Sequence, residues 1–362
     1  TQAVKDRRGN TTVYTYDDHG NELQTVDAYG HKTTNTYDEE HHLLTTTDAN
    51  GNTTGYTYDS AGNVTQVKAA DGTTVKSTYT QENRVASIQM MDKTVMAVDY
   101  DDHDRITSLE DACGNKTEYS YNGDGKLTGL TDAIGTYQKV SYDSDGNVAS
   151  TTNGAGESAS YTYDKNGKVT SVTVTREEDG KTITFTSHYS YNAAGDIAES
   201  IDNAGNVTKY EYDDNGNQTA SVDAKGRRTT YRYDDLGTLT KTMYPDGTFE
   251  SFTYDANGNN ITATDRSGLT VTMKYDKLDR MTEKTYADGT KETYVYDAVG
   301  NVIEQTGASG AKTAYTYDER NRNTSVTDAL GHRTSFVYDE ASRLVSRTDA
   351  KGNKTSYEYD DN

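Results

Sequence analysis

A tyrosine that returns every 21 residues limits what this chain can fold into more than any other feature. Fifteen of the sixteen intervals between these tyrosines are 21 residues long, and the other, from Tyr163 to Tyr191, is 28. A fixed period in this range is typical of repeat proteins, in which each unit packs against its neighbours. We therefore interpret residues 1–362 as a single array of seventeen units. The repeat tyrosines are Tyr16, Tyr37, Tyr58, Tyr79, Tyr100, Tyr121, Tyr142, Tyr163, Tyr191, Tyr212, Tyr233, Tyr254, Tyr275, Tyr296, Tyr317, Tyr338 and Tyr359.

Each unit is predicted to contain two strands and two similar turns. Ten repeat tyrosines follow a second tyrosine by two residues, as in Tyr-Thr-Tyr at 14–16, and such residues share one face of a strand. A first turn, Asp-Asp-His-Gly at 17–20, follows the tyrosine, and a second, Asp-Ala-Tyr-Gly at 27–30, comes ten residues later. Aspartate can accept backbone N–H groups inside such a turn, and glycine adopts a positive φ without steric cost. This chemistry predicts three-residue hairpin loops.

Substitutions of the turn glycine agree with that interpretation. In the first turn, glycine holds the fourth position in ten of sixteen units, and asparagine or aspartate, which tolerate a left-handed backbone, replaces it in four. The second turn keeps glycine in fourteen of fifteen regular units, and Lys93 is the exception. The first-turn replacements are Asn83, Asp104, Asp279 and Asn321, with His41 and Ser342 as weaker fits.

The strand after the first turn often carries two aliphatic residues three positions apart, as at Val64 and Val67. Strict alternation would place them two apart, so either a β-bulge intervenes or the two residues face opposite sides of the sheet. Two strands per unit give about 34 antiparallel strands in an all-β hairpin meander, with no helix longer than a turn or two. Open sheets rarely exceed ~10 strands without curling. We therefore expect a coil into a spiral hollow shell or tube, with a straight stacked solenoid as the alternative.

The composition supports strands and excludes several classes of function. Apolar residues make up only 31% of the chain, yet it contains 31 tyrosines, which favour strands and argue against disorder. Much of the net charge of −22 belongs to turn aspartates, and no basic stripe indicates nucleic-acid binding. No apolar run approaches the ~18 residues of a membrane span, so we expect no membrane insertion. The single cysteine, Cys113, lies in a turn and allows no internal disulfide.

No motif in the sequence indicates catalysis, a cofactor or a metal. No Ser/His/Asp motif or phosphate-binding loop occurs, so we do not expect an enzyme. The only adjacent histidines, His41 and His42, lack zinc-ligand spacing. The stretch Asp-Ser-Asp-Gly-Asn at 143–147 resembles the start of a calcium loop, but the full pattern does not follow and turn chemistry explains it.

The repeat tyrosines have two interpretations. We expect those at Tyr212, Tyr233, Tyr254, Tyr275 and Tyr296 to line one face of the sheet as a continuous ladder that stabilises neighbouring repeats. The alternative is an aromatic platform for glycans.

One unit is irregular, because residues 164–190 carry seven extra residues in the second hairpin. Arms lengthened by three or four residues would extend the tip ~10–13 Å beyond its neighbours. Val174, Ile183 and Phe185 would then need a partner to cover them, although a harmless insertion at a loop tip is the alternative.

The repeat pattern resembles the YD repeat of RHS proteins. Tyr-Glu-Tyr-Asp-Asp-Asn-Gly-Asn at 210–217 and Tyr-Thr-Tyr-Asp at 315–318 show it, and the match covers essentially the whole chain. The group includes bacterial polymorphic toxins, the encapsulating components of insecticidal toxin complexes, wall-associated proteins and teneurins. The resemblance implies a spiral β-hairpin shell that encloses a C-terminal effector in toxins and forms a cell-surface module in teneurins. The core that follows the repeats in RHS toxins is absent from this sequence, as are its self-cleaving carboxylates.

These observations predict a structural scaffold segment of a secreted or cell-surface protein, most consistent with a bacterial source. The chain opens in mid-strand and closes on a turn, so we expect a piece of a longer polypeptide whose core and effector domains are its partners. The alternatives are an adhesive module that binds glycans or a surface protein, and an open-ended tube or filament.

Overall fold

The computed structural model describes residues 1–90, 93–135 and 137–360. Within these residues the chain forms 34 β-strands and no helix, which confirms the all-β prediction. The strands are β1 Gln2–Lys5, β2 Thr11–Tyr16, β3 Glu22–Val26, β4 Lys32–Tyr37, β5 Leu43–Thr47, β6 Thr53–Tyr58, β7 Val64–Lys68, β8 Thr74–Tyr79, β9 Val85–Met90, β10 Lys93–Tyr100, β11 Ile106–Asp111, β12 Lys116–Tyr121, β13 Leu127–Thr131, β14 Tyr137–Tyr142, β15 Val148–Asn153, β16 Ser158–Tyr163, β17 Val169–Glu178, β18 Lys181–Tyr191, β19 Ile197–Ile201, β20 Val207–Tyr212, β21 Gln218–Val222, β22 Arg228–Tyr233, β23 Leu239–Met243, β24 Phe249–Tyr254, β25 Asn260–Thr264, β26 Thr270–Tyr275, β27 Met281–Thr285, β28 Lys291–Tyr296, β29 Val302–Thr306, β30 Lys312–Tyr317, β31 Asn323–Thr327, β32 Arg333–Tyr338, β33 Leu344–Thr348 and β34 Lys354–Ser356.

The strands fall into two compact units. Unit 1 comprises Thr1–Ala97, Phe252–Thr264 and Leu269–Asn362, and unit 2 comprises Val98–Ser251 and Asp265–Gly268. In unit 1, β1 to β10 and β25 to β34 each pair antiparallel with the next strand in sequence. In unit 2, β11 to β24 do the same. Each unit is therefore a hairpin meander.

The turns have the predicted geometry. In the second turn at 27–30, the N–H of Gly30 donates to the carbonyl of Asp27 at 3.0 Å, and the N–H of Asp27 donates to the carbonyl of His31 at 3.0 Å. Oδ1 of Asp27 accepts the N–H groups of Tyr29 and His31 at 2.8 and 2.9 Å. Gly30 has a φ of +87°, in the left-handed region that suits glycine. The six residues that replace the first-turn glycine also have a positive φ, between 59° and 70°: His41, Asn83, Asp104, Asp279, Asn321 and Ser342.

Lys93 departs from the prediction that placed it at the fourth position of a turn. It opens β10 and pairs with Met90 at the end of β9, so it is a strand residue. A left-handed backbone would be strained for lysine. The strand pairing therefore extends to the position that glycine occupies in other units.

A β-bulge explains the three-residue spacing of the aliphatic side chains. Tyr56 pairs with Val67, whereas Tyr58 pairs with Val64, and the register shifts between these two pairs. Residue 65 is therefore the extra residue of the bulge. Because paired residues share one face of the sheet, both valines lie on the same face as the tyrosines. We call this side the tyrosine face.

Side chains on both faces are mostly half-buried. Among the described residues, Val98 and Ala220 are the only buried apolar side chains, with 8% and 0% of their surface exposed. The buried polar side chains include Ser325 and Ser346, which lie on the side opposite the tyrosine face. Such thin burial means that contacts between neighbouring strands carry the stability, as expected of a repeat array.

The irregular unit forms a long hairpin from β17 and β18. Asp179 and Gly180 join the strands with φ values of 51° and 71°, which is the signature of a two-residue type I′ loop. β17 pairs with β16 as far as Thr175, and β18 begins to pair with β19 at His188. Residues 176–178 of β17 pair with residues 181–183 of β18 and with no other strand of the part of the chain that the structure describes. The tip of the hairpin therefore extends past the neighbouring strands.

Candidate functional site

The hydroxyl groups of the repeat tyrosines form a regular series of hydrogen bonds. Tyr58 donates to the carbonyl of Leu43 at 2.8 Å, 15 residues earlier in sequence. β5 and β6 pair only over three residues near their turn, so this carbonyl lies beyond the paired region. At least fourteen of the repeat tyrosines make the corresponding bond, and Tyr191 spans the insertion to reach Val169 at 2.7 Å.

The sequence contained a signal for this bond that our prediction did not use. The position two residues before the repeat tyrosine accepts Phe252, Met273 or Phe336, whereas the repeat position is tyrosine in all seventeen units. A ladder held by ring packing alone would accept phenylalanine at both positions. The invariant hydroxyl indicates a donor with a fixed acceptor.

Burial keeps these phenols in their donating form. It raises the pKa of several repeat tyrosines above its usual range, among them Tyr58, Tyr163, Tyr191, Tyr212, Tyr233, Tyr275, Tyr296 and Tyr317. Burial and the carboxylate of Glu292 raise the pKa of the neighbouring Tyr294 to about 12. The raised pKa of these tyrosines favours the neutral hydroxyl that donates the bond.

The first turns are linked to one another by the residue five positions after the tyrosine. In unit 1, Nε of Arg280 donates to Asp276 at 2.7 Å within its own turn, while Nη1 donates to the carbonyl of Asp297 in the next first turn at 2.9 Å. The guanidinium lies 4.7 Å from the ring centre of Tyr296. The same position bridges neighbouring first turns at Asn21, Asn63, Lys126, Lys168, Asn259, Asn301, Arg322 and Arg343.

Some turn aspartates have a pKa that hydrogen bonds within or near the turn hold below its usual range. The side chain of Arg105 lowers the pKa of Asp101 to about 2, with help from backbone N–H groups of the turn. Asn257 has the same effect on Asp6. In the calcium-like stretch, Oδ1 of Asp143 accepts the N–H groups of Asp145 and Asn147 at 3.0 and 2.8 Å. Turn chemistry accounts for these carboxylates.

One first turn brings together three groups that could ligate a metal. Asp38, Glu40 and His42 place ligand atoms within 4.8 Å of one another. Nδ1 of His42 lies 3.1 Å from Asp38, and its ring stacks on Tyr58 with centroids 4.6 Å apart. Asn21 and Arg105, at the same position in other units, bond the first aspartate of their own turns in the same way. We therefore assign His42 to the first-turn bridge.

Unit 1 has an N-terminal segment, residues 1–97, and a later segment, residues 252–264 and 269–362, and the two contact each other through their turns at a nearly constant separation in sequence. The N–H of Arg8 donates to Asn257 at 3.2 Å, 249 residues later, and Nζ of Lys277 lies 3.5 Å from the carbonyl of Ala28, also 249 residues away. Nδ2 of Asn50 donates to Asp297, 247 residues later. Each contact joins a second turn to a first turn. The offset corresponds to twelve repeats.

The long hairpin in unit 2 carries the three side chains predicted to meet a partner. Val174 pairs with Phe185, and they are 40% and 43% exposed. Ile183 pairs with Arg176, whose guanidinium lies 5.5 Å from the centre of the Phe185 ring. Val174 also borders a cleft of about 370 Å³ whose floor includes Thr151 and Ala159 on the tyrosine face.

Family models match most of the chain. A model described as RHS Repeat matches residues 37–74, 100–136, 142–182 and 191–228, and one described as Teneurin YD-shell matches residues 217–362. The chain is an array of RHS/YD repeats. A search of curated protein sequences found no match to it. No helix among residues 1–90, 93–135 and 137–360 has the length and apolar character to cross a membrane.

Solved structures share the fold of the YD-repeat array. It is similar to a crystal structure of TcdB2-TccC3-TEV, with a TM-score of 0.73 and 13% identity over 95% of this chain and 23% of that one. TcdB2-TccC3 without its hypervariable C-terminal region gives a TM-score of 0.63 at 13% identity over 97% and 22%. The Photorhabdus luminescens Tc holotoxin pore gives 0.61 at 12% identity over 94% and 24%. The array spans about a quarter of the length of these chains.

Proposed function

We propose that this YD-repeat array is a scaffold segment of a secreted or cell-surface protein, and that it encloses or displays a domain encoded elsewhere in the same polypeptide. The contacts between the two segments of unit 1, at offsets of 247 and 249 residues, carry the proposal. A strip that meets itself every twelve repeats would wind as a spiral. The match to a YD-shell model and the likeness to Tc toxin structures support the same interpretation.

The half-buried side chains on both faces of each unit fit a wall with solvent or cargo on its inner side.

We further propose that the long hairpin is a contact point for that additional domain. Val174 and Phe185 lie on the tyrosine face beside the cleft of about 370 Å³, and both are partly exposed although Val174 pairs with Ala159 of β16. Phe185 lies beyond the residues of β18 that pair with β19. A domain held against this face would cover their apolar surface. A harmless insertion would need no such cover.

Protease protection in the full-length polypeptide tests the scaffold function. We expect the domain outside the array to resist digestion while the array is intact, and to become sensitive once the array is opened by mild denaturant. A domain digested equally fast in both states would overturn the proposal. Purified array added in trans controls for simple competition for the protease.

A cleft in unit 2 favours an adhesive glycan-binding module as the second candidate. It has a volume of about 550 Å³ and is lined by Tyr244, Arg227, Arg266 and several hydroxyl side chains. The guanidinium of Arg266 lies 4.2 Å from the ring centre of Tyr244, so the cleft combines an aromatic surface with hydrogen-bond donors. Binding on a glycan array that is lost in Arg266→Met would support this candidate. Absence of binding to every glycan would eliminate it.

A further inference from the structure

One position of the repeat recurs in the side-chain contacts between the two segments of unit 1. It is the third residue of the second turn, which is Arg8, Tyr29, Asn50 or Asp71 in the four units that make them. The turn at 69–72 begins with Ala69, and there Asp71 itself accepts the N–H of Thr73. In the other three turns an aspartate and a glycine hold the local backbone, so the third residue is not required for turn geometry. Its identity is therefore free to serve another role.

The third residue matches the charge of the turn that it meets. Arg8 lies against three acidic residues, with Nη2 2.6 Å from Asp279 and Nη1 3.6 Å from Asp255. It also donates to the carbonyl of Asp276. A cation faces acidic groups here.

The other three contacts are matched as well. Nζ of Lys277 lies 5.2 Å from the ring centre of Tyr29, as a cation over an aromatic face. Nδ2 of Asn50 lies 3.4 Å from Oδ2 of Asp297, so an amide donor meets a carboxylate. Asp71 meets two cations in the turn that follows Tyr317, and these are Arg320 at 3.4 Å and Arg322 at 3.8 Å.

We propose that the third residue of the second turn is the recognition position that sets the register between one segment of the strip and the segment twelve repeats later. The inference deepens the proposed scaffold function and rests on contacts within unit 1 alone. A slip of one repeat would replace Arg320 and Arg322 by Val299 and Asn301 in one direction, and by Ala341 and Arg343 in the other. Either slip would leave Asp71 with fewer cations to meet, so opposite charges favour the observed register.

Asp71 offers the sharpest test because the chain contains a matched control. Oδ1 of Asp71 accepts the N–H of Thr73 at 3.0 Å, and Oδ1 of Asp288, at the same turn position, accepts the N–H of Thr290 at 2.9 Å. In the described residues, the structure gives Asp71 but not Asp288 a contact with residues 318–322. Asp71→Arg and Asp288→Arg therefore remove the same local turn bond and differ in the distant contact.

Hydrogen exchange at residues 318–322 measures the coupling. We expect Asp71→Arg to raise exchange there ~3–10-fold, because it weakens the closed state of that turn, and Asp288→Arg to leave it unchanged. Combining Asp71→Arg with Arg320→Asp, which leaves Arg322 in its first-turn bridge, should return exchange part of the way to the original, since it restores one pair of opposite charges. Asp71→Asn, which keeps the turn acceptor, should give an intermediate increase and covers the case in which the arginine variant does not fold.

Equal effects of Asp71→Arg and Asp288→Arg at residues 318–322 would overturn the inference, as would failure of the charge exchange to restore protection. If Asp71→Arg leaves exchange at residues 318–322 unchanged while the domain encoded outside the array stays protected from protease, the recognition position is wrong and the scaffold function stands. If Asp71→Arg raises that exchange while the domain is digested freely, the recognition position stands and enclosure is wrong.

Discussion

The two turns of each repeat share one local chemistry and differ in what they contact. In the first turn, Arg280 bonds its own aspartate and the next first turn, and it lies over Tyr296. In the second turn, Arg227 occupies the equivalent position and bonds Asp223 of the same turn, with its side chain 64% exposed. The first turns thus connect consecutive repeats, whereas the residue types at the tips of the second turns vary from unit to unit.

This difference explains where the array tolerates change. The seven-residue insertion lies in a second turn, and the third residue of that turn ranges from Arg8 to Ile134 and Leu330. A longer loop at a first turn would move the bridging side chain away from the next first turn. One edge of the repeat is therefore available for variation without loss of the array.

Acid should produce the largest effect, because it acts on both sets of turns at once. Asp101 in a first turn has its pKa lowered to about 2 by Arg105, and backbone N–H groups and Arg227 lower that of Asp223 in a second turn. A lowered pKa contributes stability that is fully present above the unfolded value of 3.8 and is lost as the pH falls through the folded value. We expect the unfolding temperature to fall steeply between about pH 4 and pH 2.

Asparagine variants sharpen that comparison. Asn122, Asn153 and Asn192 already stand at the first position of turns in this chain, so Asp101→Asn and Asp223→Asn keep a turn acceptor that does not titrate. Each variant should show a shallower loss of unfolding temperature below pH 4. An unchanged acid dependence in both would show that the turn aspartates do not control acid unfolding.

The tyrosine that follows each second hairpin provides the next largest effect. Tyr233 donates to the carbonyl of Gln218 at 2.9 Å and lies on the tyrosine face. Tyr233→Ala should lower the free energy of unfolding by about 2–4 kcal/mol, because it removes a ring packed between repeats. Tyr233→Phe keeps the ring and removes the hydroxyl bond, so it should cost about 0.5–1.5 kcal/mol. Urea unfolding followed by circular dichroism measures both, and equal stability of the phenylalanine variant and the original chain would exclude a role for the hydroxyl.

Local chemistry could be predicted from the sequence, and contacts between distant residues could not. The Asp-x-x-Gly turns follow from residues four positions apart, so the positive φ values of Asn83 and Asn321 were foreseeable. The bulge at residue 65 was one of two open alternatives, because spacing alone does not give the face of Val64. The bond from Tyr58 to Leu43 requires knowing where strand pairing stops.

The candidate recognition position illustrates the same limit. The sequence shows that the third residue of the second turn varies, but the partner of Asp71 lies 249 residues away at Arg320. No local pattern contains that offset, since it depends on how much each repeat bends the strip. The hairpin at 164–190 was easier, because its extra residues and its two-residue turn are both visible in the sequence.

A pair of arginine substitutions compares the two turns directly, with a smaller effect. Arg280→Met removes the bond to Asp297 and the cation over Tyr296, and we expect a loss of about 1 kcal/mol in the free energy of unfolding. Arg227→Met removes an ion pair with an exposed side chain, and we expect a change within about 0.5 kcal/mol. Losses of equal size, measured by urea unfolding, would contradict the assignment of inter-repeat linkage to the first turns.

Shortening the long hairpin should have the smallest effect on stability. Thr175 pairs with Thr184, so replacing Arg176–Ile183 by Asn-Gly closes the hairpin with a favoured two-residue turn and keeps the pairing to β16. Because the removed residues pair only with each other, the free energy of unfolding should change by less than about 0.5 kcal/mol.

The shortened hairpin should nevertheless associate more weakly with the domain encoded outside the array, since Ile183 and the cation over Phe185 are lost. Val174→Ser with Phe185→Ser, which keeps the full length, separates loss of apolar surface from loss of reach. If the shortened hairpin and the serine variant both bind that domain with unchanged affinity in a pull-down of separately expressed parts, the insertion is a tolerated second-turn extension and contacts no partner.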